Sequence, residues 1–498
     1  MPADRLAEAA DRADRLDPVL GSFLHRFPVT DARPEGPLRG TLIGVKDLVA
    51  VAGAPSTCQS VVHDASWWSD RDAPVVARLR AAGALVVGKT TMAEHALSRP
   101  DPDATFPVPR NPWDPHRWTG GSSCGSANGI PAGFFDAGIG TDSNGSIRIP
   151  AALCGVTGLK PTQGLLPAAG VHPLARSVET VGPLARTARE CARLLAVMAD
   201  RPAELSRPPL ADLAGVRVGV PGDLVRYAAA LADETAAAFD AALDELRAAG
   251  AEVVDVPFDE AIPLFAAQLV TMLVEAFEVH GARFRARWAD YGRPFRWNVA
   301  LGGVLSAETY LRAQRVRGWG ADILRARLRE VDVIATPTWP SVAPRYDDQA
   351  NLQTISFLPS VWSAVGFPAL ALPMGADGEG LPLSLQLAAA PGRDFELAAI
   401  ADVYQRRTGW HDREPKLDCA PAADLAAVAT PAAPVDNVDP VQRARLAQTF
   451  DELGVPMGQG DLDQVSVIWS KVAALAGVLP ELPVDVAPIV GADPRVAR

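Results

Sequence analysis

Twice the chain runs from an Ala/Leu/Arg helical pattern through a glycine into a β-branched run, as VVARLRAAGALVVGK (residues 75–89) and FDAALDELRAAGAEVVDV (residues 239–256). In each, Gly83 or Gly250 falls where a helix C-cap belongs, and the apolar run behind it has strand length. A chain that repeats helix, glycine and strand must lay its strands beside one another and cover them with helices, so the fold class read from it is α/β with a mixed or parallel sheet. The same unit disposes of a tempting motif. GALVVGKT, residues 83–90, has the spacing of a phosphate-binding loop, yet its four intervening residues form the strand itself instead of a loop after one.

The remaining bounds are broad. At 498 residues the chain can bury a large core, as one large domain or as two or three. A net charge of −12 without a Lys/Arg cluster excludes nucleic acid as a partner. The five cysteines (Cys58, Cys124, Cys154, Cys191 and Cys419) are odd in number and widely spaced, which suggests neither a disulfide framework nor a CxxC metal site. A reducing, cytoplasmic setting is expected. The charged N-terminus MPADRLAEAADRADRLDPVL reads as an amphipathic surface helix, and no membrane span is expected.

Between about 262 and 330 the pattern is helical and aromatic, with Phe265, Phe277, Phe284, Trp288, Tyr291, Phe295, Trp297, Tyr310 and Trp319. Core and interface packing is the expected role, with an apolar substrate lining as the sharper alternative. Residues 418–440 are rich in Ala, Pro and Asp and read as a linker. It separates a main domain, 1–417, from a small helical tail, 441–498. Leu446, Phe450 and Leu453 form one apolar stripe there, and Val465, Ile468, Trp469, Val472 and Leu475 form another. Two such helices cannot bury both stripes alone, so the tail is expected to dock on the main domain or on a second copy in a homodimer.

GSSCG, residues 121–125, matches a nucleophile elbow around Ser123. That reading needs a strand just before it and a histidine base downstream. The preceding RNPWDPHRWTGG is loop-like, and His172, His280 and His411 have no distinctive setting, so each is read as structural or exposed.

Three other stretches belong together: GVKDL with Lys46, TGGSSCGSANG with Ser122 and Ser123, and GTDSNGSIRIPAALCGVTGLKPTQG with Ser146. The arrangement resembles the amidase signature family, which hydrolyses carboxylic amides with a Ser-Ser-Lys triad. The resemblance covers roughly residues 1–416 and includes GKTTMAEHAL, RNPWDP, SVETVGPLART, DVIATPTWPSVAP and GFPALALPMGADGEGLPLSLQL. It implies an α/β/α sandwich with a central mixed sheet, here carrying the helical appendage. It also implies that Lys46 is the base, Ser122 the bridging serine on a cis peptide, and Ser146 the acylated nucleophile.

Those roles make physical sense. A serine hydroxyl needs a base, and lysine serves only when burial or like charge keeps it neutral. TLIGVKDLVAVAG sets Lys46 among apolar residues, although Asp47 would favour the charged form if the side chains met. Backbone N–H groups of Ser143, Asn144, Gly145 and Ser146 in a tight turn can converge on an oxyanion. The family commonly has Gly where this chain has Cys124 and Asn144, and Asp where it has Glu179. Asn144 suits the turn and is a candidate pocket residue, whereas Cys124 is read as structural, with a place on the pocket wall as the alternative. No metal or organic cofactor is expected.

The tail resembles the small helical helper subunits that accompany some amidases, the carboxybiuret hydrolase type and, more remotely, tRNA-dependent amidotransferases. The expected activity is hydrolysis of a small non-peptide amide through a seryl acyl-enzyme. The alternatives are an amidotransferase A-type subunit delivering ammonia to a partner, or an esterase or acyl transferase on the same fold. The substrate stays open, because the aromatic stretch favours an aryl or alkyl group and the carboxybiuret resemblance a urea-like one.

Overall fold

The computed structural model describes residues 3–28, 35–348 (apart from 100, 102, 104, 223 and 226–229), 357–417, and 438–488 apart from 484, 485. Eleven strands form a single mixed sheet among these residues, in the order β1-β3-β2-β4-β6-β5-β10-β11-β9-β7-β8. They are β1 Phe23–Arg26, β2 Leu42–Lys46, β3 Leu85–Thr90, β4 Ala137–Asp142, β5 Thr157–Lys160, β6 Thr180–Ala185, β7 Arg217–Val220, β8 Glu252–Asp255, β9 Val333–Pro337, β10 Ala369–Ala376 and β11 Pro382–Ala389.

Both repeated units take the expected form. Helix α2, Pro74–Ala81, ends before Gly83 at φ 96°, and β3 follows it. A later helix, Asp233–Ala248, ends before Gly250 at φ 103°, and β8 follows. Each pair of strands that such a unit joins runs parallel: β2 with β3, and β7 with β8. The central strands β4, β6, β5, β10, β11 and β9 pair antiparallel in succession. β2, β4 and β11 are buried along their whole length, as strands covered by helices on both faces must be. The N-terminal helix α1, Ala3–Leu20, buries Leu6, Ala13, Leu16 and Leu20 and leaves its charged face outside.

What positions the site is the parallel pair β2 and β4, with Val45 beside Ile139. Their C-terminal ends lie at one edge of the sheet, where crevices form in α/β folds. Helix α3, Cys124–Asn128, packs on them closely because β4 carries glycines where it passes. A Cβ at Gly138 would sit 2.3 Å from the Ser126 carbonyl oxygen, and one at Gly140 would sit 2.7 Å from Ser123 Oγ. Helix α4, Arg148–Cys154, leaves the turn after β4.

The aromatic region is core. The 27-residue helix Ala261–Arg287 has the length and hydropathy to cross a membrane, yet it buries Leu264, Phe265, Leu269, Val270 and Leu273 within the protein. Trp288, Tyr291, Phe295 and Trp297 are buried beside it. The tail forms helices Pro440–Glu452 and Gln459–Gly477, and of the two apolar stripes Leu446, Phe450, Val465 and Val472 are buried while Leu453, Ile468, Trp469 and Leu475 are half-buried. Here it docks on its own chain. Asp461 accepts from Trp288 Nε1 and Trp297 Nε1 at 2.7 Å each and from Arg296 at 2.9 Å, while Arg285 donates to the Leu453 carbonyl at 2.8 Å. The expected linker lies largely outside the described residues.

Candidate active site

Lys46 is the last residue of β2, and its ammonium nitrogen donates to Ser122 Oγ at 2.7 Å and lies 2.9 Å from Thr141 Oγ1. The Gly121–Ser122 peptide is cis, as the resemblance implies. Lys46 is fully buried and Ser122 is 3% exposed, whereas Ser146 is half-buried, so burial falls from the base toward the candidate nucleophile. Ser146 stands in the turn between β4 and α4, and its carbonyl accepts from the Ser123 N–H at 3.2 Å. That bond sets the two serine segments side by side. The Ser146 hydroxyl has no protein hydrogen-bond partner among the described residues.

Burial pushes the Lys46 amine down to about 8, against the pull of Glu179. Burial pushes the Glu179 carboxyl up to about 7, against the pull of Lys46. Glu179 Oε2 accepts from the Leu174 N–H at 3.1 Å, and the Thr141 hydroxyl beside the carboxyl also favours its charged form. Asp47 does not meet Lys46. Asp47 stands in the turn that follows β2, where it accepts from the Thr57 N–H at 2.7 Å and forms an ion pair with Lys89 at 3.2 Å. Lys46 thus escapes the one neighbour that its local sequence set against it.

The turn carrying Ser146 hangs on a buried network that sequence reasoning missed. Asp142 Oδ1 accepts from Gly145 N at 2.7 Å, and Oδ2 accepts from Ile147 N at 3.2 Å. Arg148 holds both carboxylate oxygens at 2.9 and 3.0 Å and reaches Ser363 at 2.8 Å and Gln386 at 2.7 Å. Burial alone would raise the Asp142 carboxyl, but the Arg148 guanidinium holds it down at about 2. The Asp-to-Arg interval inside GTDSNGSIR, closing one turn on itself, was the available signal.

Two expectations need correction. The Gly145 N–H is already given to Asp142, so the candidate oxyanion donors narrow to Ser143, Asn144 and Ser146. Cys124 is fully buried with its thiol on the Ser122 carbonyl at 3.7 Å, behind the bridging serine and not on an open pocket wall. Asn144 is half-buried, with its Oδ1 sealed from solvent and unpartnered. Ser123 is no elbow nucleophile: it is fully buried, its Oγ donates to the Thr141 carbonyl at 3.2 Å, and no strand precedes it. His172 and His280, read as structural or exposed, are both buried, within one histidine group.

With this geometry in place, the comparisons with known proteins become decisive. The amidase family model matches residues 24–398. This chain belongs to the amidase family. The A-type subunit of a glutamyl-tRNA(Gln) amidotransferase from Roseiflexus castenholzii is 36% identical over 419 residues, covering 76% of this chain and 85% of the relative. A protein from a vestigial complex tied to the origins of an s-triazine catabolic enzyme superposes with a TM-score of 0.73 at 29% identity, covering 81% of this chain and 95% of its own. The peptide amidase of Stenotrophomonas maltophilia does so with a TM-score of 0.66 at 28% identity, covering 82% and 93%. The amidase is an enzyme acting on amide C–N bonds, with the α/β mixed sheet of these neighbours.

Proposed function

We propose that this amidase takes ammonia or an amine from a carboxamide through an acyl-enzyme on Ser146. The supporting observation is the 2.7 Å contact between a buried lysine amine and the Ser122 hydroxyl. In the free-base form, Lys46 accepts the Ser122 proton while Ser122 takes that of Ser146, whose hydroxyl turns toward it on substrate binding. The Ser146 oxygen adds to the amide carbonyl, and the oxyanion is met by N–H groups from among Ser143, Asn144 and Ser146. The C–N bond breaks as the leaving nitrogen receives the proton back through Ser122. Water, deprotonated by the same relay, then releases the carboxylic acid and restores the serine. Asp142 and Arg148 hold the turn, and Glu179 sets how readily Lys46 gives up its proton.

The sequence relatives favour the amidotransferase reading over the stand-alone hydrolase first expected: the 36% identical protein is an A-type component of such an enzyme. On that reading the ammonia passes to an acceptor held by a partner protein. A stand-alone hydrolase is the second reading, favoured by the tail that this chain docks on its own surface through Asp461. Purified chain offered glutamine and a series of small primary amides, with ammonia measured, separates the two. Steady release without a partner supports the hydrolase, and release only when an acceptor-bearing partner is added supports the amidotransferase. Labelling of Ser123 by a serine-directed fluorophosphonate, or failure to label Ser146, ends both.

A further inference from the structure

Away from the triad, four of the chain's seven histidines gather in one buried place. His63 and His172 have ring centroids 4.6 Å apart, His95 and His172 5.3 Å, and His63 and His95 5.7 Å. Cys58 joins them, and one donor atom from each of Cys58, His63, His95 and His172 lies within 4.8 Å of all the others. His280 stands just outside, 4.4 Å from His95 between centroids, with its Nδ1 3.2 Å from Tyr291 Oη.

We infer that Cys58, His63, His95 and His172 form a closed binding site for one zinc ion. The set has the borderline-soft thiolate and imidazole donors that suit zinc, and four of them fill its tetrahedron. A tetrahedral zinc with ordinary bond lengths needs donors roughly 3.3–3.6 Å apart, which small side-chain rotations reach from the separations present.

The groups are unpartnered in a way that packing does not explain. Both ring nitrogens of His63 and of His95 are sealed from solvent without a hydrogen bond, although a neutral imidazole has one donor and one acceptor to satisfy. An edge-to-face contact of His63 with Trp67 and a tilted one of His95 with Phe295 pack the rings but give those nitrogens nothing. The cysteine stands apart too. Cys124, Cys154 and Cys191 each donate to a backbone carbonyl at 3.4–3.7 Å, whereas Cys58 makes no such bond among the described residues. Cys58 and His95 hold left-handed backbone conformations, φ 51° and 44°, that few non-glycine residues adopt, and the His95 N–H is bonded to the Cys58 carbonyl at 2.9 Å.

Loading is balanced without redox chemistry. The zinc ion takes three neutral imidazoles and the Cys58 sulfur, and the thiol proton leaves to solvent, giving a site of net charge plus one. The carboxylates Asp47, Asp64 and Glu179 and the cations Lys89, Arg176 and Arg283 act on the group.

The ion's role is to fasten loops to the catalytic strand. His172 N–H binds the Leu48 carbonyl at 2.9 Å, two residues beyond Lys46, and Ala93 N–H, two residues before His95, binds the Ser122 carbonyl at 3.1 Å. With every position taken by protein, no open site for substrate is left, and the zinc is structural.

The test uses the full chain without a histidine tag, exposed to zinc and dialysed, with bound metal measured by mass spectrometry. About one zinc per chain is expected in the wild type and in a His116→Ala control, falling below about a tenth in Cys58→Ala and His172→Ala. Should those variants not fold, chelator-treated wild type titrated with cobalt(II) decides the matter: a thiolate-to-cobalt charge-transfer band must appear, and zinc must raise the melting temperature. Wild type that holds no metal and shows no band overturns the inference, as does zinc retained by a folded Cys58→Ala, His172→Ala double variant.

Discussion

The proposed relay works only through the uncharged form of Lys46, which fixes a pH dependence that can be worked out. With its amine at about 8, about a tenth of the molecules carry the free base at pH 7 and about nine-tenths at pH 9. An ordinary lysine would supply only about one in 3,000 at pH 7, so burial raises the reactive fraction about 300-fold. The rate constant kcat/KM should therefore climb about tenfold from pH 7 to pH 9 and level off. Glu179→Gln tests the cause. Glutamine keeps an oxygen for the Leu174 N–H but removes the opposite charge that favours protonated lysine. The ascending limb should then move below pH 8, and kcat/KM at pH 7 should rise, by at most about tenfold, because the free-base fraction cannot exceed one. Stopped assays of ammonia release across pH 6–10, on substrates that do not titrate in that range, would read this. A flat wild-type profile, a limb that stays put or moves up in Glu179→Gln, or full activity in Lys46→Arg, whose guanidinium cannot act as base, would refute the reasoning.

Other consequences can be checked independently. Ser146→Ala should abolish acyl-enzyme formation and Ser122→Ala should cut kcat by about 10²–10⁴-fold, whereas Ser123→Ala should keep the acyl-enzyme that mass spectrometry detects. Arg148→Met leaves the Asp142 carboxylate buried without its cation and should cost about 3–5 kcal/mol in urea unfolding; a loss under about 1 kcal/mol would mean the pair does not hold the turn. Asp461→Ala removes hydrogen bonds to Trp288, Trp297 and Arg296 and should weaken tail docking by about 2–4 kcal/mol. Amide exchange over residues 459–477 should speed up while β4 stays protected, and unchanged exchange would count against docking through that carboxylate.

The local signals in the chain carried much of the fold. Helix, glycine and strand follow one another in steps of a few residues, so Gly83 and Gly250 marked their boundaries before any packing was considered. The same holds for the failed phosphate loop, since Ala84 to Val87 are either strand or loop and their β-branched pattern decides which. Lys46, Ser122 and Ser146 became candidates through the family resemblance, which rests on a short motif around each of them.

Tertiary structure decided what depends on atoms far apart along the chain. Only the turn after β2 brings Asp47 to Lys89 and away from Lys46, and only the approach of residues 363 and 386 completes the cage around Asp142 and Arg148. Between a structural role and a place on the pocket wall, Cys124 was decided for the first by the packing of α3 on glycine-bearing β4, which puts it behind Ser122. His63, His95, His172 and His280 come from four separate segments with no shared spacing, so no window of sequence contains the group they make. Bond geometry acts over a few residues and is written in order along the chain, whereas burial and charge act through space and exist only once the sheet has closed.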